Sequence, residues 1–483
     1  MRDLEHRAFA QGATPEGLMD QAGAGIAREI LRRYPRPGVA IACIGSGNNG
    51  GDALVALKHL AQAGWNIAVK PTVASAKLAE LPWKKWRALG DMPSPEAIMS
   101  RPGRGKVIVL DGLLGIGASG ALREPLASAA AWMNDLRISC SADVIAMDIP
   151  SGVNGDSGEV YDGAVIADLT LTIGVAKSGL LQSSSASHTG SMETIPVDEL
   201  PAPDDGSPSL SDRFSLRSLP LRRPHEFHKG NAGRVGIVAG SRGMLGAAVL
   251  CATGVLRSGA GLVTLFVEEN IYSLLVPMLP PEVMVKPVTS LTAVMEQDLD
   301  VLAIGPGMGS AWSDEEFFRL IEDFSRTMVV DADALNRIAA DGVSTHVRGN
   351  MILTPHPGEM RRLFPDSRDV SRESVVSAFT QQFPSTTLLL KGTHSLVAQD
   401  GQPLQVNASG HSGMASGGQG DVLTGVIAGL AGQGIAPMDA ARAGAWLCGR
   451  AAELAISHGD QSQPSLTASD VLVSLGLAFR EIL

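Results

Sequence analysis

The stretch GSGNNGGDALVALKHL, residues 45–60, decides how the first half of the chain is read. Before it runs Val39-Ala40-Ile41-Ala42-Cys43-Ile44, an unbroken apolar run of the kind that forms a strand buried on both faces. After it, Leu54, Leu57, Leu60 and Ala61 recur at helical spacing. Strand, glycine loop and helix in that order leave free backbone N–H groups at a helix start, where an anion can be held. The same residues also make a tight βα turn with Asp52 capping the helix. A glycine loop alone does not separate the two readings.

The pattern then repeats. Val107–Leu110 leads into Asp111 and GLLGIGASGALREPL, Val144–Met147 into Asp148 and IPSG, and Leu169–Ile173 into GVAKSGL. In open parallel sheets ligands bind beyond the carboxyl ends of the strands. Asn48, Asn49, Asp52, Asp111, Asp148, Ser151 and Lys177 are polar residues at such ends. Any one of them alone reads as a cap or a turn residue. Four strand ends in succession point to a site.

From 200 to 224 the chain reads LPAPDDGSPSLSDRFSLRSLPLRRP, rich in Pro, Ser and charge. Residues 206–222 are taken as a linker or docking arm between a first domain, 1–205, and a second, 223–483. Strand–helix alternation restarts at 234–239, with further strands expected at 262–267, 300–304, 327–330, 351–354 and 386–390. The later ones run into GPGMG, DADALN, TPHPGE and KGTHS. Both halves are α/β, but their motifs differ, so they are not an internal repeat.

Bulk properties bound the function. A chain of 483 residues with 45% hydrophobic and 18% charged residues is folded and multidomain. The net charge of −11 argues against a nucleic-acid partner. No apolar run approaches the ~18 residues that span a bilayer, so no membrane association is expected. Cys43, Cys140, Cys251 and Cys448 lie far apart without a CxxC pair, which disfavours zinc and disulfides and suits a reducing compartment. The start, MRDLEHRAFAQG, lacks an apolar signal region, and a cytoplasmic location is expected.

In the second half, Gly418-Gln419-Gly420-Asp421 opens an apolar helix. Amides there can stabilise charge growing on a transferring phosphoryl group, and Asp421 can take a proton from a substrate hydroxyl, or merely cap the helix. Lys391-Gly392 offers a cation and an open backbone to phosphates. His356, between two prolines, is presented by a rigid loop. Asp331 and Asp333 read equally as helix caps.

Here a resemblance becomes specific. HKGNAGRV (228–235), GSRGMLGAAVL (240–250), RSGAGLVT (257–264), GPGMG (305–309), DADALN (331–336), TPHPGE (354–359), KGTHS (391–395) and GMASGGQGDVLTGVIAGLAGQG (413–434) resemble the ribokinase-like superfamily, in its ADP-dependent NAD(P)H-hydrate dehydratase branch. LMDQAG (18–23), the 45–60 stretch, DGLLGIGASGALREPL (111–126), DIPSGVNGDSG (148–158) and GVAKSGL (174–180) resemble the NAD(P)H-hydrate epimerase family. Together they span about residues 2 to 475.

The resemblance implies a Rossmann-like parallel-sheet domain followed by a ribokinase-like α/β domain. It implies that the first epimerises R and S hydrates of NADH and NADPH. The second would dehydrate the S form with ADP as co-substrate and Mg²⁺, releasing AMP and phosphate. Asn48, Asn49, Gly50, Gly51 and Asp52 would contact the hydrated dinucleotide, with Gly115, Ile116, Gly117, Ala118, Ser119, Gly120 and Ala121 as a second loop and Asp148 at the nicotinamide. Asn49, Asp111 and Ser151 would ligate K⁺, and oxygen-only donors suit such a hard cation. In the second domain the hydrate would lie near Ala247, Gly307, His356 and Asp421. The nucleotide would lie along Lys391, Gly392, Thr393, His394, Ser395 and Gly420. Asp148 and Asp421 would be catalytic, and a homo-oligomer is expected. Gln419, Ser395 and Asp20 depart from the family's usual Thr, Thr and Glu, which bears on nucleotide affinity and rate more than on reaction type. The rival reading is a small-molecule kinase whose N-terminal domain binds nucleotide without catalysis.

Overall fold

The apolar runs become the interior strands of two sheets. In the computed structural model, which describes residues 1–100, 105–201, 205–365, 370–459 and 461–483, the chain divides into Met1–Leu210 and Ser211–Leu483.

The first unit holds six strands: β1 (Val39–Ile44), β2 (Asn66–Pro71), β3 (Val107–Gly112), β4 (Asp143–Met147), β5 (Leu169–Ile173) and β6 (Ser191–Ile195). Their order is β2-β1-β3-β4-β5-β6, and every pairing is parallel. All residues of β1, β3 and β5 are buried, as strands covered on both faces require. The order reverses between β1 and β3, so a crevice opens past their carboxyl ends. The glycine loop after β1 and the loop after β3 meet there so closely that a Cβ on Gly45 would sit 2.0 Å from the Leu113 carbonyl oxygen.

The second sheet begins at the unit boundary. Its strands are β7 (Ser209–Leu210), β8 (Arg234–Val238), β9 (Leu262–Glu268), β10 (Val283–Val288), β11 (Val301–Ile304), β12 (Thr327–Val330), β13 (Met351–Leu353), β14 (Thr387–Leu390), β15 (Ser395–Ala398) and β16 (Gln405–Asn407). The order is β10-β9-β8-β11-β12-β13-β14-β15-β16-β7, with antiparallel pairings β14–β15 and β15–β16 after a parallel run. The switch point lies between β8 and β11. Within the segment read as a linker, β7 closes the sheet, Asp212 caps a short helix, Arg213–Leu216, and Leu216 is fully buried in the second unit's core.

Two helices of this unit, Leu245–Arg257 and Gln419–Gly432, run side by side. They touch at glycines: a Cβ on Gly254 would lie 2.8 Å from the Val422 carbonyl oxygen, and one on Gly425 would lie 2.1 Å from that of Cys251. The backbones could not approach so closely around larger residues.

Candidate active sites

In the first unit the helix Asn48–Gln62 starts at Gly47, with no side chain capping it. Asp52 lies in its second turn, so the capping reading of Asp52 does not hold. Asn48, Asn49 and Gly50 form the first turn; the Gly50 N–H donates to Gly47 O at 3.1 Å, while those of Asn48 and Asn49 have no intrahelical partner by geometry.

Asn49, Asp111 and Ser151 come together. Asp111 is wholly buried; its Oδ1 accepts from Ser151 Oγ at 2.7 Å and Leu113 N at 3.2 Å, and its Oδ2 from Ser151 N at 2.7 Å. Ser151 Oγ in turn accepts from Leu114 N at 3.1 Å, while Asn49 Nδ2 donates to Leu114 O at 2.8 Å. Three strand ends thus grip the start of the loop that carries Gly115 to Ala121, which is part-exposed to exposed. Burial pushes the Asp111 carboxyl up to about 6, against the pull of the Ser151 and Leu113 donors. No Lys or Arg pairs with it among the described residues.

Asp148 sits just past β4 with φ +71, an uncommon conformation for a residue with a Cβ. Its Oδ1 accepts from Ile173 N at 2.9 Å and from the Lys177 ammonium. Burial, and after it the Asp148 charge, hold the Asp52 carboxyl well above the usual range, with Lys177 opposing. Lys177 belongs to GVAKSGL, but sequence reasoning gave it no role.

In the second unit the loops after β8 and β11 are joined by Gly240 N to Pro306 O at 2.9 Å. Gly307, at φ +56, lies against Ala247, where a Cβ would stand 2.8 Å from the alanine's own. Asp333 receives the Gly309 N–H at 2.8 Å, so it holds the GPGMG loop.

The phosphoryl end is built around Lys391. Its ammonium donates to Asp331 Oδ1 at 2.8 Å and lies 4.0 Å from Glu359 Oε2, and a Cβ on Gly420 would come within 3.3 Å of it. Asp331 stands at the N-cap position of the helix Ala332–Asp341 yet does not cap it. Its carboxylate, almost fully buried, serves Lys391 with one oxygen and Thr424 Oγ1, at 2.8 Å, with the other. Sequence reasoning left this residue as a possible cap, because its partners lie far along the chain. Asp421 does not cap its helix either: the N-cap is Gly418, at φ +91, and Asp421 falls in the first turn. Burial, and then the Asp331 charge, push the Asp421 carboxyl up to about 6, with Lys391 opposing.

His356 is the cap of Pro357–Leu363. Its Nδ1 accepts from Gly358 N at 2.9 Å and Glu359 N at 3.3 Å, and Glu359 returns the bond to His356 N at 2.8 Å. With Nδ1 committed as an acceptor, the neutral ring carries its proton on Nε2. Gly392 and Thr393 are exposed in the turn between β14 and β15; His394 is buried and Ser395 starts β15.

Two α/β domains thus each carry a site past the carboxyl ends of their strands, one apt for an anionic dinucleotide and the other for phosphoryl transfer. Comparison with known proteins gives that class its identity. Residues 15–179 match the family described as YjeF-related protein N-terminus, and residues 235–472 match NAD(P)H-hydrate dehydratase. The bifunctional NAD(P)H-hydrate repair enzyme of Moorella thermoacetica is 33% identical across all of this chain and 96% of its own, and that of Escherichia coli is 34% identical across 94% and 88%. Among solved structures, a hypothetical protein of Streptococcus mutans aligns at 26% identity and a TM-score of 0.50, over 56% of this chain and 98% of its own. The chain belongs to the bifunctional NAD(P)H-hydrate repair enzyme family. Its activity is the repair of hydrated nicotinamide cofactors, by an epimerase domain and a dehydratase domain. Among the described residues no helix is long and apolar enough to cross a membrane.

Proposed function

We propose that the residues around Asp148 interconvert the R and S hydrates of NADH and NADPH, and that Asp421 drives ADP-dependent dehydration of the S form, in a cytoplasmic homo-oligomer. The observation that carries this reading is the pair of carboxylates, Asp148 and Asp421, each past a strand end or at a helix start and each beside a lysine.

In the dehydratase site Asp421 takes the proton of the C6 hydroxyl as the terminal phosphoryl group of ADP passes to that oxygen, leaving AMP. The first-turn amides of Gln419–Gly432 and the Lys391 ammonium face the charge that develops. Phosphate then departs as the ring-nitrogen lone pair pushes in and a C5 proton is lost. Nε2–H of His356 is a donor for the bound hydrate. Gly392, Thr393 and the backbone of His394 and Ser395 line the nucleotide. Mg²⁺, when bound, would offset phosphate charge.

In the epimerase site the first turn at Asn48–Gly51, with Asp52, and the loop Gly115–Ala121 flank the dinucleotide. Asn49, Asp111 and Ser151 would hold K⁺. Their donors are all oxygens, and among the described residues no cation balances the buried Asp111 carboxylate, so the residues fit the ion. Such an ion supplies charge balance and ties three loops together.

The assay is direct. Purified protein with an R/S hydrate mixture, ADP and Mg²⁺ should regenerate reduced-cofactor absorbance and AMP, and consume both epimers. A small-molecule kinase would instead leave a stable phosphorylated product and no absorbance.

Exchange of K⁺ for Li⁺ should lower epimerase activity and the melting temperature of the first domain, since a ligand bound only to the native state stabilises it. Asp111→Ala should remove both dependences along with most activity. Epimerisation and melting indifferent to the cation, in protein stripped of K⁺, would sink the ligand assignment.

Asp331→Asn should cost about 1–3 kcal/mol of stability, because a part-buried ammonium and a buried hydroxyl lose their shared anion. It should also raise the KM for ADP as Lys391 loses its anchor. Calorimetry and ADP titration check this; if neither quantity moves, the tether is idle.

A further inference from the structure

Lys177 is buried more deeply than the carboxylate it serves: its side chain keeps 3% of its surface exposed and that of Asp148 keeps 10%. An ammonium has three N–H groups, and all three are spent: on Asp148 Oδ1, on Thr172 Oγ1 at 3.3 Å and on the Ile173 carbonyl at 2.9 Å. It therefore has no proton-donating position left for a substrate. The loop around it is locked as well, because Gly179 N donates to Gly155 O at 2.8 Å and a Cβ on Gly179 would stand 2.4 Å from the Asn154 carbonyl oxygen.

The effect on Asp148 is asymmetric. Oδ1 is saturated by Ile173 N and Lys177, while Oδ2 accepts no hydrogen bond from the described residues. With φ at +71 the side chain cannot relax into a common backbone geometry without moving the strand end. One oxygen is a fixed hinge and the other is presented.

Resting on the epimerase reading of this site, we propose that Lys177 is its positioning residue. It fixes Asp148 Oδ1 and leaves Oδ2 aimed at the C6 hydroxyl of the hydrate, and Asp52, on the helix Asn48–Gln62, is the acid that completes the proton transfer. Asp148 Oδ2 takes the hydroxyl proton, the oxygen's electron pair forms the C6=O bond, and the C6–N1 bond breaks. Its electron pair goes to N1, which receives the proton of Asp52. The open aldehyde turns about C5–C6, and the reverse steps close the ring on its other face. Atoms and protons balance over the cycle, with no oxidant or co-reactant.

The charged groups facing this pair are Lys177 from the loop after β5, Asp52 from the helix Asn48–Gln62, and Glu5 from the helix Arg2–Ala10, which acts on Asp52. Asp111, on β3, is turned to Ser151.

The test compares wild type, Lys177→Met, Lys177→Arg and Asp52→Asn in the full chain. It uses the pH profile of R-to-S conversion and the separate effects on kcat and KM. Lys177→Met should slow conversion by about 10²-fold, the scale of a misplaced reacting group. The loss should fall on kcat with KM little changed, since the contacts that bind the hydrate stay in place while the reacting oxygen loses its aim. Lys177→Arg should hold both near wild type. Asp52→Asn should remove the alkaline limb and leave the acid limb in place. The melting transition of the first domain reports that each variant is folded. An unchanged kcat in Lys177→Met, or, should that variant not fold, a kcat in Lys177→Arg that falls as far as that of Asp148→Ala, overturns the role of Lys177. An unchanged alkaline limb in Asp52→Asn overturns that of Asp52. Wild type that converts neither epimer would defeat the epimerase reading, while a loss of first-domain stability in Lys177→Met that Lys177→Arg does not show would still report the Lys177–Asp148 tie.

Discussion

Asp421→Asn is expected to slow dehydration of the S hydrate by about 10²–10⁴-fold, the usual scale for a lost general base, while epimerisation proceeds unchanged. The residue lies in the first turn of Gln419–Gly432 and does not cap it, so its carboxylate is free of a structural duty there. Burial and the neighbouring Asp331 charge hold its carboxyl at about 6. The group is therefore protonated and idle as a base at lower pH. Wild-type turnover should rise with pH through that value, and the acid limb should vanish in the Asn variant. Reduced-cofactor absorbance with purified S hydrate and ADP measures both effects. If Asp421 only stabilised its helix, the variant would lose about 0.5–2 kcal/mol and keep its turnover.

Asp148→Ala should abolish epimerisation, again by about 10²–10⁴-fold, and leave the S hydrate reaction running. Chiral chromatography of a purified R hydrate follows the loss directly. Because the substitution also strands the buried Lys177 ammonium, some loss of stability is expected alongside. Normal conversion of the R form by this variant would mean that another residue carries the proton chemistry.

Interior strands were plain in the sequence because burial on both faces leaves continuous apolar runs, as in β1, β3 and β11. Edge strands were not. β2, Asn66–Pro71, and β10, Val283–Val288, are buried only in part, carry Lys and Pro, and so give no continuous run. β15 and β16 are four and three residues long and pair antiparallel, which the strand–helix rhythm does not announce. The same limit applies to the sites. Glycine loops and strand-end acids are local signals and stand out in one dimension. The grip of Asp331 on Lys391 and Thr424, and of Lys177 on Asp148, joins residues on separate strands and helices. Only the fold brings them together. His356 also looked like a presented imidazole, and its capping role emerges from Gly358 and Glu359 turning their N–H groups back onto it.

The contact between Leu245–Arg257 and Gln419–Gly432 has a consequence for substrate size. One helix begins beside Ala247 and the GPGMG loop, the other at Gly420 and Asp421. Because they meet at Gly254 and Gly425 with no side chain between them, rotamer changes cannot widen the gap. The pair works as a fixed calliper: its jaws are the two helix starts, and its opening is set by backbone contact alone. On the proposed reading of the site, that fixed opening would select substrates by the distance from their hydroxyl to the part seated at Ala247.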